Sequence, residues 1–131
     1  MDDLTNRDWI IVTGAGSGIG FDVAQSLCEK GNGVVAFDFD KEKLKKAFSG
    51  RAESLIYRCL DVRDAGRVSA SIDSLRNELG PIKGLVNCAG VYPVTPFLDI
   101  TVGEWDEVLN TNLRGAFIVS QVVARSMVAE R

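Results

Sequence analysis

The sequence predicts an α/β protein with a doubly wound parallel sheet, and three observations support that prediction. A glycine-rich turn at residues 13–20 follows an apolar run and precedes an amphipathic segment, which is the order of a strand, a turn and a helix. A second apolar run completes a strand–helix–strand unit by residue 38. The alternation continues through the 131-residue chain without a linker or low-complexity stretch, so we expect one continuous domain.

The first unit is defined by the spacing of its apolar residues. Residues 9–12 predict the first strand, and a helix is expected from about Gly18 to its stop signal at Gly31. Residues 34–37 predict the second strand, which ends at Asp38. The predicted apolar stripe of the helix comprises Ile19, Val23, Ala24, Leu27 and Cys28.

The glycine-rich turn is a place where a pyrophosphate can bind. Glycines let phosphates approach the backbone, and the start of the following helix offers unpaired N–H groups and the positive end of a dipole. A tight turn without any ligand would explain the glycines about equally well. Asp38 adds weight, because a carboxylate about 20 residues beyond such a loop can accept hydrogen bonds from an adenosine ribose. Together the two features indicate a dinucleotide cofactor.

Helices and strands continue to alternate after this unit. Asp40 is expected to cap a short charged helix that ends at Gly50, and residues 55–60 predict the third strand. Asp64 then starts a helix that is stopped by the Gly-Pro pair at residues 80–81. The predicted buried face of that helix comprises Val68, Ile72, Leu75 and Leu79.

The last part of the chain predicts a fourth strand, a loop and a long helix. The strand covers residues 82–87, and the proline-containing loop covers residues 91–100. Thr101 and Glu104 have the spacing of a capping box for the last helix, which is expected to continue almost to Arg131. Four parallel strands and four helices result.

Composition argues against several classes of function. The net charge is −3 and the basic residues are dispersed, apart from a small group at residues 41–46, so we expect no nucleic-acid partner. The three cysteines, Cys28, Cys59 and Cys88, have no CxxC spacing and the chain has no histidine, so we expect neither a metal site nor disulfides. Buried free thiols and the lack of a signal or membrane-spanning segment predict a cytoplasmic protein without a membrane partner.

Four motifs, in this order, resemble the short-chain dehydrogenase/reductase family. They are Thr13-Gly14-x-x-x-Gly18-Ile19-Gly20, Asp61-Val62, Asn87-Cys88-Ala89-Gly90 and Asn112-Leu113-x-Gly115-x-Phe117. The resemblance implies that residues 1–131 are the N-terminal, NAD-binding Rossmann-type part of a single domain. It also implies an NAD(P)-dependent oxidoreductase that transfers a hydride between nicotinamide and a small-molecule alcohol or ketone.

The resemblance further implies which residues bind the cofactor. In the family the glycine loop holds the pyrophosphate, the acid at the position of Asp38 holds the ribose, and the acid at the position of Asp61 contacts the adenine. The third motif ends the fourth strand beside the cofactor, with cysteine at Cys88 where the family usually has a second asparagine. The predicted cofactor-binding residues are Thr13, Gly14, Ser17, Gly18, Ile19, Gly20, Asp38, Asp61, Val62, Asn87, Ala89 and Gly90.

NAD is expected rather than NADP. An ionised Asp38 would repel a 2′-phosphate, and Ser17 stands where phosphate-selecting members of the family often have a basic residue. Lys41 and Lys43 are close enough in sequence to weaken this preference. Lysines that follow an aspartate cap are, however, more typical of a solvated helix face.

Asn112 is the one candidate catalytic residue in the chain. Its predicted position on an apolar stripe implies a buried amide, which needs hydrogen-bond partners. The other members of that predicted stripe are Trp105, Val108, Leu109 and Leu113. In the family the matching asparagine interrupts the helix and helps to hold a water that connects to the catalytic lysine. An amide that only satisfies a kink in the helix is the alternative.

The family's other catalytic groups have no counterpart in these 131 residues. The family uses a serine, and a tyrosine with a lysine four residues later, whereas Tyr57 and Tyr92 are followed at that distance by Asp61 and Pro96. Tyr57 is expected to be packed in its strand, and Tyr92 to border a substrate pocket. We expect the missing groups to lie beyond Arg131 and this chain alone to be inactive. The alternative is a non-catalytic dinucleotide-binding or interaction module.

The last helix has more apolar residues than one core-facing stripe requires. A second face could pack on another subunit, so a homo-oligomer through this helix is predicted, while burial under further chain would explain much of the same pattern. The apolar residues are Val108, Leu109, Leu113, Phe117, Ile118, Val122, Val123 and Met127.

Overall fold

A single parallel sheet forms the centre of the molecule. The computed structural model describes residues 4–51 and 53–130. In that part of the chain the strand order is β3-β2-β1-β4, so the chain first extends the sheet to one side of β1 and then returns to the other side. The strands are β1 (Trp9–Thr13), β2 (Gly33–Asp38), β3 (Leu55–Cys59) and β4 (Ile82–Asn87).

Helices cover both faces of the sheet. All six residues of β2 are buried, and the four from Val34 to Phe37 alternate between two core clusters. Val34 and Ala36 pack with the first pair of helices, whereas Val35 and Phe37 pack with the second pair. The first pair is α1 (Gly18–Glu29) and α2 (Lys41–Phe48), and the second is α3 (Ala65–Leu79) and α5 (Ala116–Ala129). The predicted doubly wound α/β fold is confirmed.

Local capping signals predicted the helix starts well. The carboxylate of Asp40 accepts hydrogen bonds from the backbone N–H groups of Glu42 and Lys43, at 3.1 and 3.0 Å. The carboxylate of Asp64 accepts one from the backbone of Arg67 at 3.0 Å. Each cap satisfies donors that the first helical turn leaves unpaired, so α2 and α3 begin where the sequence places them.

The last helix differs from its prediction. It consists of α4 (Val102–Val108), a π-helical segment (Leu109–Gly115) and α5, rather than one regular helix. The hydroxyl of Thr101 accepts the backbone N–H of Glu104 as predicted, but the Glu104 carboxylate accepts a hydrogen bond from the Thr95 hydroxyl, on the preceding loop. Arg131, where the helix was expected to end, lies outside the described residues.

Predictions of burial are wrong at Ile19 and Cys59. Ile19 is 77% exposed and lines the cavity, so its side chain lies outside the buried apolar stripe of α1. Cys59 is also exposed, because β3 is an edge strand of the sheet, and its thiol donates to the carbonyl of Phe39 at 3.2 Å. Cys28 and Cys88 are half-buried free thiols whose pKa is raised by burial.

Candidate cofactor-binding cleft

A cavity of about 380 Å³ opens where the carboxyl ends of all four strands meet. Between β1 and β4 the direction of winding reverses, and ligands of open α/β sheets bind at such a switch point. Ten of the twelve residues predicted to bind the cofactor line this cavity. They are Gly14, Ser17, Gly18, Ile19, Gly20, Asp38, Asp61, Val62, Ala89 and Gly90.

The backbone of the glycine loop is tightly turned and open toward the cavity. Gly14 has a positive φ of 62°, and Gly18 one of 57°. A Cβ on Gly18 would meet no other atom within 4 Å, so the backbone is bare toward the cavity there. A Cβ on Gly20 would lie 2.2 Å from the carbonyl oxygen of Gly14, so α1 can pack this closely against the loop only with glycine. The three glycines thus serve the turn, the approach of the ligand and helix packing, which fits a dinucleotide.

Asp38 is held firmly at the end of β2. Its Oδ2 accepts the backbone N–H of Gly16 and its Oδ1 accepts that of Asp40, both at 3.0 Å. The residue is only 8% exposed, yet it lines the cavity. These two bonds tie the glycine loop to the start of α2 and fix the direction of the carboxylate.

Lys41 and Lys43 follow Asp38 in the sequence, and Lys43 also lines the cavity. A Cβ on Gly16 would lie 3.0 Å from the Cβ of Lys43 and 2.9 Å from Asp38 Oδ2. Lys43 therefore stands beside the same part of the loop as the Asp38 carboxylate. Lys41 is exposed, as expected for a solvated helix face.

Asp61 is paired with Arg63, a residue that the sequence analysis did not single out. The Arg63 guanidinium binds both carboxylate oxygens, and both residues line the cavity. This hydrogen bonding from Arg63 is the main reason that the pKa of Asp61 is lowered. The Asp-x-Arg spacing was a visible signal for this pair.

Thr13 and Asn87 lie outside the lining of the cavity and connect elements around it. The buried Thr13 hydroxyl accepts the backbone N–H groups of Cys88 and Ala89, each at 3.1 Å, and so holds the loop after β4 against β1. The Asn87 amide donates to the hydroxyl of Ser120 on α5 at 2.9 Å.

Asn112 fastens the loop after β4 to the π-helical segment. Its Oδ1 accepts the backbone N–H of Val91 and its Nδ2 donates to the carbonyl of the same residue, both at 2.8 Å. The predicted buried stripe around it is wrong for most of its members, since Trp105, Leu109 and Leu113 are exposed and only Val108 is half-buried. Asn112 is exposed as well. The π-helical turn removes the regular spacing on which that prediction depended.

Neither tyrosine has a lysine four residues later, and the two occupy different environments. Tyr92 lines the cavity and is largely exposed. Tyr57 is on the edge strand β3 and is partly exposed, with its ring centroid 6.4 Å from that of Phe48, so the predicted packing is only partial. Two further groups of the lining, Glu107 and Thr111, come from α4 and the π-helical segment and were not predicted.

Residues 4–51 and 53–130 hold no cluster of three or more histidine, cysteine, aspartate or glutamate side chains arranged for a metal ion. None of the helices formed by these residues is long and apolar enough to cross a bilayer.

A comparison with protein-family models identifies the chain. A model described as short chain dehydrogenase matches residues 8–131. The chain belongs to the short-chain dehydrogenase family. The resemblance noted in the motifs is thereby confirmed, and the family is one of oxidoreductases that use a nicotinamide cofactor.

Individual relatives agree with this assignment. A D-threitol dehydrogenase from Mycolicibacterium smegmatis is 37% identical over 121 residues, which cover 89% of this chain and 46% of that protein. A Sus scrofa carbonyl reductase 2 whose name specifies NADPH is 38% identical over 118 residues, covering 90% and 46%. A solved short chain dehydrogenase from Bacillus anthracis superimposes with a TM-score of 0.88 at 28% identity, covering 94% and 52%. The chain therefore spans about half the length of the curated relatives that it matches.

Proposed function

We propose that this chain is the dinucleotide-binding part of an NAD-dependent oxidoreductase acting on a small-molecule alcohol or ketone. The observation that supports this most is that the glycine loop, Asp38 and Asp61 line one cavity at the switch point of the sheet. In that role the bound nicotinamide would supply the hydride acceptor or donor, while the chain binds and orients it.

The first turn of α1 would hold the pyrophosphate. Ser17 is the N-cap residue of α1, but its side chain makes no capping hydrogen bond, so its hydroxyl is left for a ligand. The first turn has no acidic residue to oppose an anion. Backbone N–H groups and the helix dipole would then stabilise the two phosphates together.

Asp38 supports NAD rather than NADP. Its carboxylate is fixed by two backbone donors, so it could not turn away from a 2′-phosphate. Lys43 lines the same cavity and could offset part of the repulsion, and one relative is named for NADPH. We favour NAD because the Asp38 carboxylate is held by two backbone hydrogen bonds and is therefore more rigid than the Lys43 ammonium group.

Calorimetric titration with NADH and NADPH tests both parts of this proposal. We expect NADH to bind about tenfold tighter or more, because unit charges about 4 Å apart repel by roughly 1 kcal/mol in water and more in a partly buried cleft. Asp38→Asn should reduce that ratio, whereas the control Asp40→Asn, which keeps a capping side chain outside the cavity, should preserve it. Tighter NADPH binding would overturn the NAD assignment. Failure of a folded chain to bind either dinucleotide would overturn the proposed function.

We propose that these 131 residues are inactive alone, because they contain no tyrosine with a lysine four residues later. Asn112 would contribute by holding the loop after β4 and, as the family resemblance implies, a water of the proton relay. A non-catalytic dinucleotide-binding module is the second candidate, because neither Tyr57 nor Tyr92 has the lysine partner. Reduction of any ketone by this chain with NADH would contradict both the proposed inactivity of these 131 residues and the non-catalytic alternative.

We also propose a homo-oligomer that forms through α5, and a location in the cytoplasm. The outer face of α5 exposes Phe117 and Val128, in addition to the apolar face that it buries against the sheet. Three free cysteines suit a reducing compartment.

A further inference from the structure

In the segment between β3 and α3, Arg63 donates several hydrogen bonds to the carboxylate of Asp61. The backbone N–H of Arg63 donates to Asp61 Oδ1 at 2.9 Å. Its Nε lies 3.0 Å from Oδ1 and 3.1 Å from Oδ2, and its Nη2 lies 2.8 Å from Oδ2. One residue thus supplies three N–H groups to both oxygens of its neighbour.

The backbone of Arg63 is itself held by the π-helical segment. Its carbonyl accepts a hydrogen bond from the guanidinium of Arg114, in the π-helical segment, at 3.1 Å. Glu107 on α4 lines the same cavity, and its charge acts on the Arg63 guanidinium. A Cβ on Gly115 would lie 2.6 Å from Val62 Cγ2, so the two segments also touch directly. The orientation of the Asp61 carboxylate therefore depends on contacts between the segment that follows β3 and the π-helical segment.

The Asp61 carboxylate remains accessible to a further donor from the cavity. Arg63 makes two contacts to each carboxylate oxygen, with its Nε shared between them, and the Asp61 side chain still keeps 36% of its surface exposed. Asp61 faces a cavity whose other residues suit a dinucleotide. Adenine has an exocyclic amino group that donates hydrogen bonds, whereas hypoxanthine has an oxygen at that position.

We propose that Arg63 is a positioning residue that orients the Asp61 carboxylate for the amino group of adenine, and so makes the cleft selective for an adenine dinucleotide. The inference rests on the proposed cofactor-binding function. The side chains of Arg63 and Asp61 are 45% and 36% exposed. The ion pair therefore adds little to the stability of the fold, and its effect is on the orientation of the carboxylate. The low pKa of Asp61, caused first by the Arg63 hydrogen bond and helped by the charge of Arg67, agrees with an acceptor that stays ionised.

The test compares binding of NADH with binding of its hypoxanthine analogue. We expect the chain to prefer NADH about tenfold, the effect of one hydrogen bond to a charged acceptor. Arg63→Met should remove most of that preference, and Arg63→Lys, which keeps the charge but not the two-donor fork, should restore it only in part. The control Arg67→Met removes a charge near Asp61 without removing any of its hydrogen bonds, and should keep the preference.

A second measurement separates positioning from general damage to the fold. The carboxyl ¹³C resonance of Asp61 should titrate at higher pH in Arg63→Met than in the parent chain, and at nearly the parent value in Arg67→Met. An unchanged NADH preference in Arg63→Met would overturn the inference, and so would equal binding of both dinucleotides by the parent chain. If the folded parent chain binds neither, the proposed function fails first.

Discussion

Asp38 shows how a local rule can place a functional side chain. The sequence positioned it at the end of the second strand, and the structure adds the two backbone donors that orient it. Those donors come from the glycine loop and from the start of α2, so the proposed ribose site and the proposed phosphate site are parts of one hydrogen-bonded unit. A substitution in the glycine loop should therefore alter both of these proposed sites.

Gly20 offers a test of how tightly that unit is packed. In Gly20→Ala the new methyl group would lie 2.2 Å from the carbonyl oxygen of Gly14, so the helix must move away from the loop. We expect the free energy of unfolding to fall by about 2–3 kcal/mol, as for an overpacked core position. Urea denaturation followed by circular dichroism measures this.

Gly66→Ala is the matched control, because it is also a helical glycine but its new Cβ would have only one contact, at 3.7 Å. That variant should be neutral or more stable by up to about 1 kcal/mol, since alanine favours the helix. Equal effects of the two substitutions would mean that the contact between α1 and the loop is not tight.

Arg63, Lys43 and Glu107 mark the limit of reasoning from residue types alone. The sequence named the glycines, Asp38 and Asp61 because motif spacing specifies them. It missed Arg63 and Glu107, because the directions of their side chains depend on how a turn and a helix face the cavity. Lys43 was weighed only by its distance along the chain.

Strands and helices followed the sequence closely where their determinants are local. Residues 82–87 form β4 as predicted, and Asp40 and Asp64 cap their helices. The family resemblance implied an interruption of the helix at Asn112, but the π-helical form of residues 109–115 was not predicted, because it accompanies contacts between distant parts of the chain. Gly115 lies against Val62, and Asn112 is bonded to the loop after β4. An extra residue in one turn lets both contacts form together.

The Asn112 clamp predicts a specific change in local stability. Asn112→Ala removes the acceptor for the Val91 N–H and the donor to its carbonyl. The Val91 amide should then exchange its hydrogen about five- to tenfold faster, the effect expected from losing roughly 1 kcal/mol of protection. Native-state hydrogen exchange measures this at one residue. Asn110→Ala, in the same π-helical segment, is the control, and similar acceleration in both variants would argue against the clamp.

The described residues bury two cores and leave apolar side chains exposed at several places, one of which is the outer face of α5. Ile118, Val119 and Val123 of α5 are buried against the sheet, which accounts for one face of the helix. Phe117 is 59% exposed and Val128 is 65% exposed on the remaining surface. A helix that is apolar on two faces is typical of an element that packs between two layers, and a symmetric pair of α5 helices would supply the second layer.

Phe117→Glu tests this assembly. A charge in the centre of a helix–helix interface would have to be buried without a partner, so we expect the chain to sediment as a monomer where the parent chain forms a dimer. Val94→Glu changes a still more exposed apolar side chain, in the loop after β4, and should leave the dimer intact. Sedimentation equilibrium over a range of protein concentrations distinguishes the monomer from the dimer. A monomeric parent chain would refute assembly through α5, and dissociation by both variants would place the interface elsewhere.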